Sequence, residues 1–368
     1  MQWNWQQKDW PNFFYDISRI QPYETEFLTK IGFVYGAYQH VDDDNKKELL
    51  VEIISEEALN TSEIEGEHLD RNSVQSSIRK NLGLQQGDNT ILPREKGIAE
   101  MMTNLYKTYD VPLNHEYLYN WHCSLTNGRT DINNIGTYRT HEESMQIVSG
   151  YIHKPKIHFE APPSSDVPNE MTIFVQWYNN AAKEKSASLR TIINAAIAHL
   201  YFVSIHPFED GNGRIARALA EKIVSQAFGH PVLMSLSTII QRNRKQYYQI
   251  LEQSNQELEI TEYIIYFANT VLNALQLTSR TIEFTIKKTR IFDTYKTILN
   301  ERQLKALQRF FREGLDGFQG GLSAGNYKSI TGASNATTTR DLQEMVKLGV
   351  LNKKGQLRHT RYSIAGLD

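Results

Sequence analysis

The sequence predicts a mainly α-helical protein. Apolar residues recur at spacings of three and four over most of its 368 residues, as on the buried face of helices. Alternating, strand-like patterns are confined to two short stretches. A content of 40% apolar and 11% aromatic residues is enough for sizeable cores. From the length and the changes of pattern we expect three domains, at residues 1–90, 91–284 and 285–368.

Composition limits the compartment and the partners. The formal net charge of −2 does not require a nucleic-acid or membrane partner. A single cysteine, Cys123, excludes an intrachain disulfide framework and fits a reducing compartment. The N-terminal residues MQWNWQQKDWPNFF lack a basic segment followed by an apolar stretch, so we expect no signal peptide. No apolar run reaches bilayer length, and we therefore expect a cytoplasmic protein without a membrane partner.

The N-terminal region predicts aromatic packing followed by a helix. Six aromatic side chains crowd the first fifteen residues and predict anchors that pack into a groove of this molecule or of a partner subunit: Trp3, Trp5, Trp10, Phe13, Phe14 and Tyr15. From Asn45 a helical stripe begins, formed by Leu49, Leu50, Ile53, Ile54, Ala58 and Leu59. It continues into TSEIEG, where Thr61 and Glu65 share a helix face and Gly66 ends the helix.

Short helices and one hairpin are expected next. Polar capping residues and Gly83 predict a helix over residues 70–82, and residues 96–109 and 115–125 are also helical in pattern. Between residues 136 and 171 the helical rhythm stops. Alternation over 146–148 and 157–159, followed by a proline pair, predicts a β-hairpin and a turn.

The stretch HPFEDGNGRIAR, residues 206–217, predicts an anion site. It follows a 15-residue apolar run, residues 191–205, that reads as a buried helix ended by Pro207. Gly211 and Gly213 allow the backbone N–H groups to converge where a second helix begins. Arg214 and Arg217 lie three residues apart on that helix and can donate paired hydrogen bonds to phosphate.

Two further side chains in this stretch carry chemistry. A histidine ordinarily titrates near neutrality, so His206 is expected to act as a general base. Asp210 can hold a divalent metal against phosphate oxygens. The pattern therefore combines a base, a metal ligand and a phosphate site within twelve residues.

The C-terminal region differs in charge. Residues 290–368 contain 13 Lys and Arg against 7 Asp and Glu, whereas the rest of the chain is acidic. Three helices followed by a hairpin predict a winged helix-turn-helix, with Thr337–Arg340 leading the recognition helix. The wing would carry Lys353, Lys354, Arg358 and Arg361. DNA binding and a role in dimerisation or peptide docking both stay open.

Residues 206–217 resemble the Fic family motif, HPFx(D/E)GNGRxxR. Every specified position is filled, by His206, Pro207, Phe208, Asp210, Gly211, Asn212, Gly213, Arg214 and Arg217. TSEIEG likewise resembles the family's inhibitory helix motif, (S/T)xxxE(G/N). The resemblance implies a Fic-type helical core with a β-hairpin flap, a helical N-terminal extension that is aromatic in some members, and here a C-terminal winged helix-turn-helix. In the family the flap docks the target peptide by strand addition.

The resemblance also implies a reaction, the transfer of AMP from ATP to a Ser, Thr or Tyr hydroxyl of a protein target, which can be the enzyme itself, with release of pyrophosphate. His206 would be the base, and Asp210 would hold Mg²⁺ or Mn²⁺. The N–H groups of residues 211–213 and the Asn212 side chain would stabilise the α-phosphate, Arg214 would bind the β-phosphate and Arg217 the γ-phosphate. Phe208 is expected to be a packing anchor.

The complete nucleotide-contacting set also draws on a later helix. Residues 236–251 are expected to form one helix, which by the same resemblance packs against the nucleotide. Residues 260–277 are expected to form a further long amphipathic helix. The expected set is Glu65, His206, Pro207, Phe208, Glu209, Asp210, Gly211, Asn212, Gly213, Arg214, Arg217, Asn243, Tyr247 and Tyr248. Asn243 and the two tyrosines would hold the adenine. Both tyrosines could equally be core residues.

The inhibitory motif predicts an off switch. Thr61, Glu65 and Gly66 belong to it, and Glu65 would pair with Arg217 and occupy the guanidinium that the γ-phosphate needs. We expect a homodimer. Alternatives are removal of AMP by the same site, transfer of another nucleotide or phospho group, and a DNA-binding transcriptional regulator.

Overall fold

The computed structural model describes residues 2–85, 92–151, 154–183, 190–312, 314–318 and 321–366. Over these ranges helices predominate, and the strands form only two small antiparallel sheets. The mainly α fold class is thus confirmed. The chain divides into two compact units, Met1–Val34 with Leu50–Thr278 and Tyr35–Leu49 with Ser279–Asp368.

The elements follow one another in a simple order. The helices are α1 (Ile17–Gln39), α2 (Asp43–Ile64), α3 (Arg71–Asn81), α4 (Pro93–Lys107), α5 (His115–Leu125), α6 (Val167–Ala181), α7 (Thr191–Ile205), α8 (Asn212–Phe228), α9 (Leu236–Arg242), α10 (Arg244–Ser254), α11 (Thr261–Tyr295), α12 (Glu301–Arg312), α13 (Ala324–Thr331) and α14 (Asn335–Lys347). The strands are β1 (Gln146–Tyr151) and β2 (Lys154–Glu160), then β3 (Leu351–Lys354) and β4 (Arg361–Ile364). Where the structure describes the chain, no helix is both long and apolar enough to cross a bilayer.

Helices α7 and α8 form the centre of the first unit. Almost every side chain of α7 is buried, as its apolar run predicts. The helix stops because His206 adopts a left-handed conformation, with φ of 51°, and Pro207 has no N–H with which to continue it. Gly211, with φ of 83°, then turns the chain into α8. The two helices therefore meet at the motif.

The N-terminal aromatic residues pack against the first unit. Trp3 meets Phe159 edge-on with ring centroids 5.4 Å apart, and Trp10 meets Tyr201 at 5.1 Å. Trp5 donates its indole N–H to the Glu160 carbonyl at 2.7 Å. The expected role as packing anchors within this molecule is therefore confirmed for these tryptophans, and Trp3 and Trp5 fasten the end of β2.

The predicted hairpin is present. Strands β1 and β2 pair antiparallel, from Gln146 opposite Glu160, with a bulge between Ile147 and Val148. Ile147, Val148 and Ile157 are exposed despite being apolar. The hairpin thus presents apolar side chains to solvent beside strand edges that no other described strand covers.

Two helix predictions need correction. Residues 236–251 form two helices, because Asn243 leaves the helical region at φ −124° and ψ 34°. Asparagine tolerates this break, since its side chain competes for backbone hydrogen bonds. The helix expected over 260–277 continues to Tyr295, because its sequence has no glycine or proline. The expected 284/285 boundary falls inside α11, and the C-terminal segment of the second unit begins at Ser279.

The second unit has its own core and follows the predicted element order. Helices α12, α13 and α14 precede the β3–β4 hairpin, and Phe310, Leu342 and Ile364 lie in one buried cluster. Thr338 is buried, whereas the sequence placed it among the residues leading a recognition helix. The winged-helix assignment stays a prediction, as does DNA binding.

Candidate active site

His206 stands at the junction of α7 and the motif loop. Its N–H donates to the Phe202 carbonyl at 3.0 Å, and its Nδ1 lies 3.3 Å from the Val203 carbonyl. Burial, followed by the nearby positive charge of Arg139, lowers the pKa of His206 to about 4. The imidazole is therefore neutral at neutral pH, the state that accepts a proton.

The motif loop is locked by Asn212. The Phe208 N–H donates to Asn212 Oδ1 at 3.0 Å, and Asn212 Nδ2 donates to the Phe208 carbonyl at 2.8 Å. Phe208 is buried and stacks on His122 with ring centroids 4.2 Å apart, as expected of a packing anchor. Both polar atoms of the Asn212 side chain hold the loop in this conformation, and its contact with the α-phosphate stays a prediction.

Pro207 and Glu209 contact protein loops. The Pro207 carbonyl accepts from the Arg139 N–H at 2.9 Å. The Glu209 carboxylate accepts from the N–H groups of Asn133 and Asn134, both at 3.0 Å. In this conformation Pro207 and Glu209, both expected to contact the nucleotide, accept hydrogen bonds from the loop before the β1–β2 hairpin.

The Arg217 guanidinium is held by residues at the C-terminal end of α2. Its Nη2 donates to Glu65 Oε1 and to the Thr61 carbonyl, both at 2.8 Å, and its Nε donates to Thr61 Oγ1 at 2.8 Å. The guanidinium is only 1% exposed. The structure therefore brings together three residues of the two motifs, which lie more than 150 positions apart in the chain.

Gly213 makes this approach sterically allowed. A Cβ at this position would lie 2.2 Å from Glu65 Oε1 and 3.1 Å from Arg217 Nη1. The Glu65 carboxylate thus occupies the space against the first turn of α8. Since a helix N-terminus attracts anions, the carboxylate stands in the anion site itself.

The Glu67 carboxylate accepts a hydrogen bond from Arg214, the other arginine of the motif. Arg214 donates to Glu67 Oε2 at 2.7 Å and to Asp210 Oδ2 at 3.2 Å. Arg129 donates to Asp210 Oδ2 at 2.6 Å and lies 3.6 Å from Glu67 Oε1. Neither Glu67 nor Arg129 is predicted from the sequence. The only available signal was that Glu67 directly follows the inhibitory motif.

Asp210 is ionised in this network. Burial raises its pKa, but Arg214, the Gly211 N–H and Arg129 together hold the pKa below its usual range. No cluster of three or more His, Cys, Asp or Glu within the described ranges could hold a metal alone. A single carboxylate beside an anion site nevertheless fits Mg²⁺, which is bound by one or two carboxylates together with substrate phosphates.

The three residues expected to hold the adenine, Asn243, Tyr247 and Tyr248, lie in different surroundings. Tyr247 is buried, with its hydroxyl 3.0 Å from His199 Nε2 and 3.4 Å from Arg217 Nη1. Tyr248 donates to the Ile64 carbonyl at 3.0 Å, and Asn243 is exposed at the start of α10. In this conformation Tyr247 belongs to the core and Tyr248 fastens the end of α2.

These features define a helical protein with a neutral histidine beside a helix-terminal anion site. Residues 112–224 match the family model described as Fic/DOC family, and residues 3–84 match a domain of unknown function, DUF4172. Residues 112–224 of this chain therefore match a Fic domain.

Solved structures share the fold. A Fic family protein from Desulfovibrio desulfuricans matches with a TM-score of 0.53 at 19% identity, over 94% of this chain and 96% of that one. A Fic-domain-containing signalling protein from Bacteroides thetaiotaomicron matches with a TM-score of 0.51 at 20% identity, over 69% of this chain and 97% of that one.

Curated relatives match over a shorter part. The protein adenylyltransferase Fic of Drosophila mojavensis is 35% identical over 116 residues, which is 32% of this chain and 21% of that protein. The protein of the same name from Drosophila grimshawi is 35% identical over 116 residues, 32% of this chain and 22% of that protein. This chain therefore spans about a fifth of these relatives' length.

Proposed function

We propose that this protein transfers AMP from ATP to a hydroxyl of a protein side chain. The observation that carries the proposal is the geometry at the start of α8, where a neutral His206 lies beside an anion site with two arginines. The Fic domain and the relatives called adenylyltransferases support the choice of reaction. The test is incubation with each candidate nucleotide donor, followed by mass spectrometry of the modified protein, where an added AMP is expected.

The chain's own residues account for each movement of charge. The target hydroxyl oxygen forms a bond to the α-phosphorus, and the bond from that phosphorus to the bridging oxygen breaks. His206 takes the hydroxyl proton, and pyrophosphate leaves with the electron pair. The N–H groups that begin α8 stabilise charge on the α-phosphate, while Arg214 binds the β-phosphate and Arg217 the γ-phosphate. Asp210 would hold Mg²⁺, which would supply positive charge beside the leaving pyrophosphate.

The hairpin is the proposed docking site for the target. Its apolar residues Ile147, Val148 and Ile157 are exposed, and each strand has one edge that pairs with no other described strand. An extended target segment would add a strand there and bring a hydroxyl to His206. The identity of the hydroxyl, Ser, Thr or Tyr, is decided by the experiment above.

The resting protein is proposed to be autoinhibited. Glu65 holds Arg217 and Glu67 holds Arg214, so both arginines that would bind the nucleotide are paired with carboxylates. ATP could then bind only with its terminal phosphates misplaced, and misplacement by about 1 Å costs around 10²-fold in rate. Removal of AMP is a second candidate function, because the Glu65 carboxylate lies at the same anion site and could position a water. An assay on a pre-modified target separates the two directions.

Asp210→Ala is expected to remove the metal dependence of nucleotide binding. Mg²⁺ needs the carboxylate, and without it ATP should bind equally with and without the metal. Isothermal titration with ATP at both conditions measures this. Asp131→Ala is the matched control, since Asp131 also pairs with Arg129 but is more exposed than Asp210. A wild-type response to Mg²⁺ in Asp210→Ala would exclude Asp210 as the ligand.

The pH profile of AMP transfer should fall only in strong acid. The neutral form of His206 is the active one, and its lowered pKa of about 4 means that protonation sets in well below the usual value of 6.5. The pKa of Asp210 is also lowered, so the carboxylate stays ionised over the same range. Initial rates between pH 5 and pH 8 should therefore be nearly flat on the acid side. A midpoint near 6.5 would contradict the burial of His206.

A further inference from the structure

Arg139 is a buried cation outside the two motifs. It is 1% exposed, and no carboxylate of the described ranges forms an ion pair with it. Burial lowers its pKa to about 10, so the guanidinium is still charged at neutral pH. A buried charge without a counter-ion is costly unless hydrogen bonds compensate for it. The contacts of Arg139 therefore indicate what it is for.

Each of those contacts is a backbone carbonyl or a hydroxyl. Nε donates to the His206 carbonyl at 2.8 Å, and Nη2 reaches the Ile205 carbonyl at 3.4 Å. Nη2 also donates to the Pro162 carbonyl at 2.5 Å, and Nη1 donates to Ser164 Oγ at 2.8 Å. One planar group thus bonds two chain segments that are far apart in sequence.

The first segment is the catalytic turn. His206 has a left-handed backbone although it is not glycine, a conformation that persists only where the surroundings impose it. The Arg139 side chain holds the carbonyl of that residue, and the Arg139 N–H holds the Pro207 carbonyl at 2.9 Å. The direction in which the imidazole projects follows from this turn.

The second segment is the base of the hairpin. Strand β2 ends at Glu160, and Pro162 and Ser164 come directly after it. The hairpin is where we place the target, so its distance from His206 decides whether a hydroxyl reaches the base. Arg139 donates hydrogen bonds both to the hairpin base, at Pro162 and Ser164, and to the His206 carbonyl.

We propose that Arg139 is a positioning residue, which holds the hairpin base and the His206 turn at one fixed spacing. The inference rests on the proposed function in assigning the proton transfer to His206. A rigid bidentate fork suits this role, because it fixes direction as well as distance. Lysine carries the same charge but presents no fork.

The charge of Arg139 has a second effect on His206. It disfavours protonation of the imidazole, while the carboxylates of Glu65 and Asp210 and the hydrogen bond to the Val203 carbonyl act in the opposite direction. Loss of the charge should therefore raise the pKa of His206, whereas loss of the fork alone should not. Geometry and charge can be separated by two substitutions.

The test compares Arg139→Lys and Arg139→Met in the presence of the Glu65→Gly change. Arg139→Lys should lower kcat by about 10- to 100-fold, as expected of a displaced base, while the Kd for ATP stays within about twofold. Arg139→Met should lower kcat similarly and also move the acid limb of the pH profile to higher pH. Arg19→Met is the matched control and should change neither quantity, because Arg19 pairs with Glu262 at an exposed position.

Two readouts do not depend on turnover. The His206 imidazole can be titrated by NMR in ¹⁵N-histidine-labelled protein, with His206→Ala for assignment, and its midpoint should rise in Arg139→Met but not in Arg139→Lys. Amide hydrogen exchange should quicken together at Ala161 and Ser164 and at Ile205 and His206 in both variants. These measurements decide the role of Arg139 even if no AMP is transferred, in which case only the proposed function fails.

The opposing outcomes are equally specific. An unchanged kcat in both variants would overturn the proposal, as would a loss that only follows the folded fraction measured by circular dichroism. Faster exchange on one side alone would show that Arg139 does not join the two segments. If Arg139→Met does not fold, Arg139→Lys and Ser164→Ala still test the spacing, since Ser164→Ala removes only the bond on the hairpin side.

Discussion

Replacement of Glu65 by glycine should increase AMP transfer by about 10- to 100-fold, the equivalent of one charge-assisted hydrogen bond of roughly 1.5–3 kcal/mol. The reason is geometric. The carboxylate holds Arg217 at 2.8 Å and fills the space in front of Gly213, so its removal frees both the guanidinium and the anion site. Transfer of label from α-³²P-ATP to the protein itself or to an added target measures the change.

The gain should come with a loss of stability. Glycine at the end of α2 costs up to about 1 kcal/mol in helix propensity, and the buried Arg217 loses its counter-ion. Glu63→Gly is the matched control, because Glu63 lies in the same turn but its carboxylate is directed to the exposed His68 at 3.9 Å. It should lower stability without raising transfer.

The outcomes divide the candidate functions. Increased labelling in Glu65→Gly supports autoinhibition. Loss of AMP removal from a pre-modified target, without increased labelling, supports the reverse reaction. If both activities are unchanged, the Glu65–Arg217 pair does not regulate the site. Adding Glu67→Gln to Glu65→Gly should raise labelling further, because Arg214 then also loses its ion pair with Glu67.

Replacement of His206 by alanine should reduce AMP transfer by about 10²- to 10⁴-fold, the usual loss on removal of a positioned general base. ATP affinity should change by less than about twofold, since the imidazole is assigned to the target hydroxyl and not to a phosphate. Single-turnover labelling in the presence of Glu65→Gly measures the rate, and calorimetry measures the binding.

The backbone at His206 requires a second variant. Alanine disfavours the left-handed conformation, with φ of 51°, so the His206→Ala change alone could disturb the turn, whereas asparagine tolerates it. His206→Asn should therefore retain the loop and still lack the base. His40→Ala, at an exposed position after α1, controls for loss of an imidazole elsewhere. Wild-type labelling by His206→Asn would refute the role as a base.

Part of this site could be read from the order of residues alone. The loop and the start of α8 are local, so the spacing of His206, Gly211 and Arg217 already determines an imidazole beside a helix-terminal anion site. The apolar pattern before Thr61 predicts a helix, and because residues four positions apart on a helix share a face, Thr61 and Glu65 lie on one side of α2. The helical class and the hairpin followed for the same reason, since each pattern is set by near neighbours.

Other features depended on the tertiary structure. The bonds of Glu67 to Arg214, of Arg129 to Asp210 and of Arg139 to the His206 carbonyl join residues that are far apart in sequence. Nothing in the local pattern around these polar side chains separates them from solvated surface residues. Their partners are chosen only when α2, the loop before the hairpin and α8 pack together.

The difference between local pattern and tertiary packing also explains why two helix bounds were wrong and why the Asn212 side chain bonds its own loop. The break at Asn243 and the continuation of α11 to Tyr295 were ambiguous in local propensity, and packing decided between the alternatives. Asn212 could have faced a phosphate or its own loop, and the closed turn around the buried Phe208 selects the loop.

The sequence by itself determined which chemical groups stand at the helix end. The tertiary structure decided which of them are paired, because a buried charge takes whichever partner the fold brings within hydrogen-bond distance.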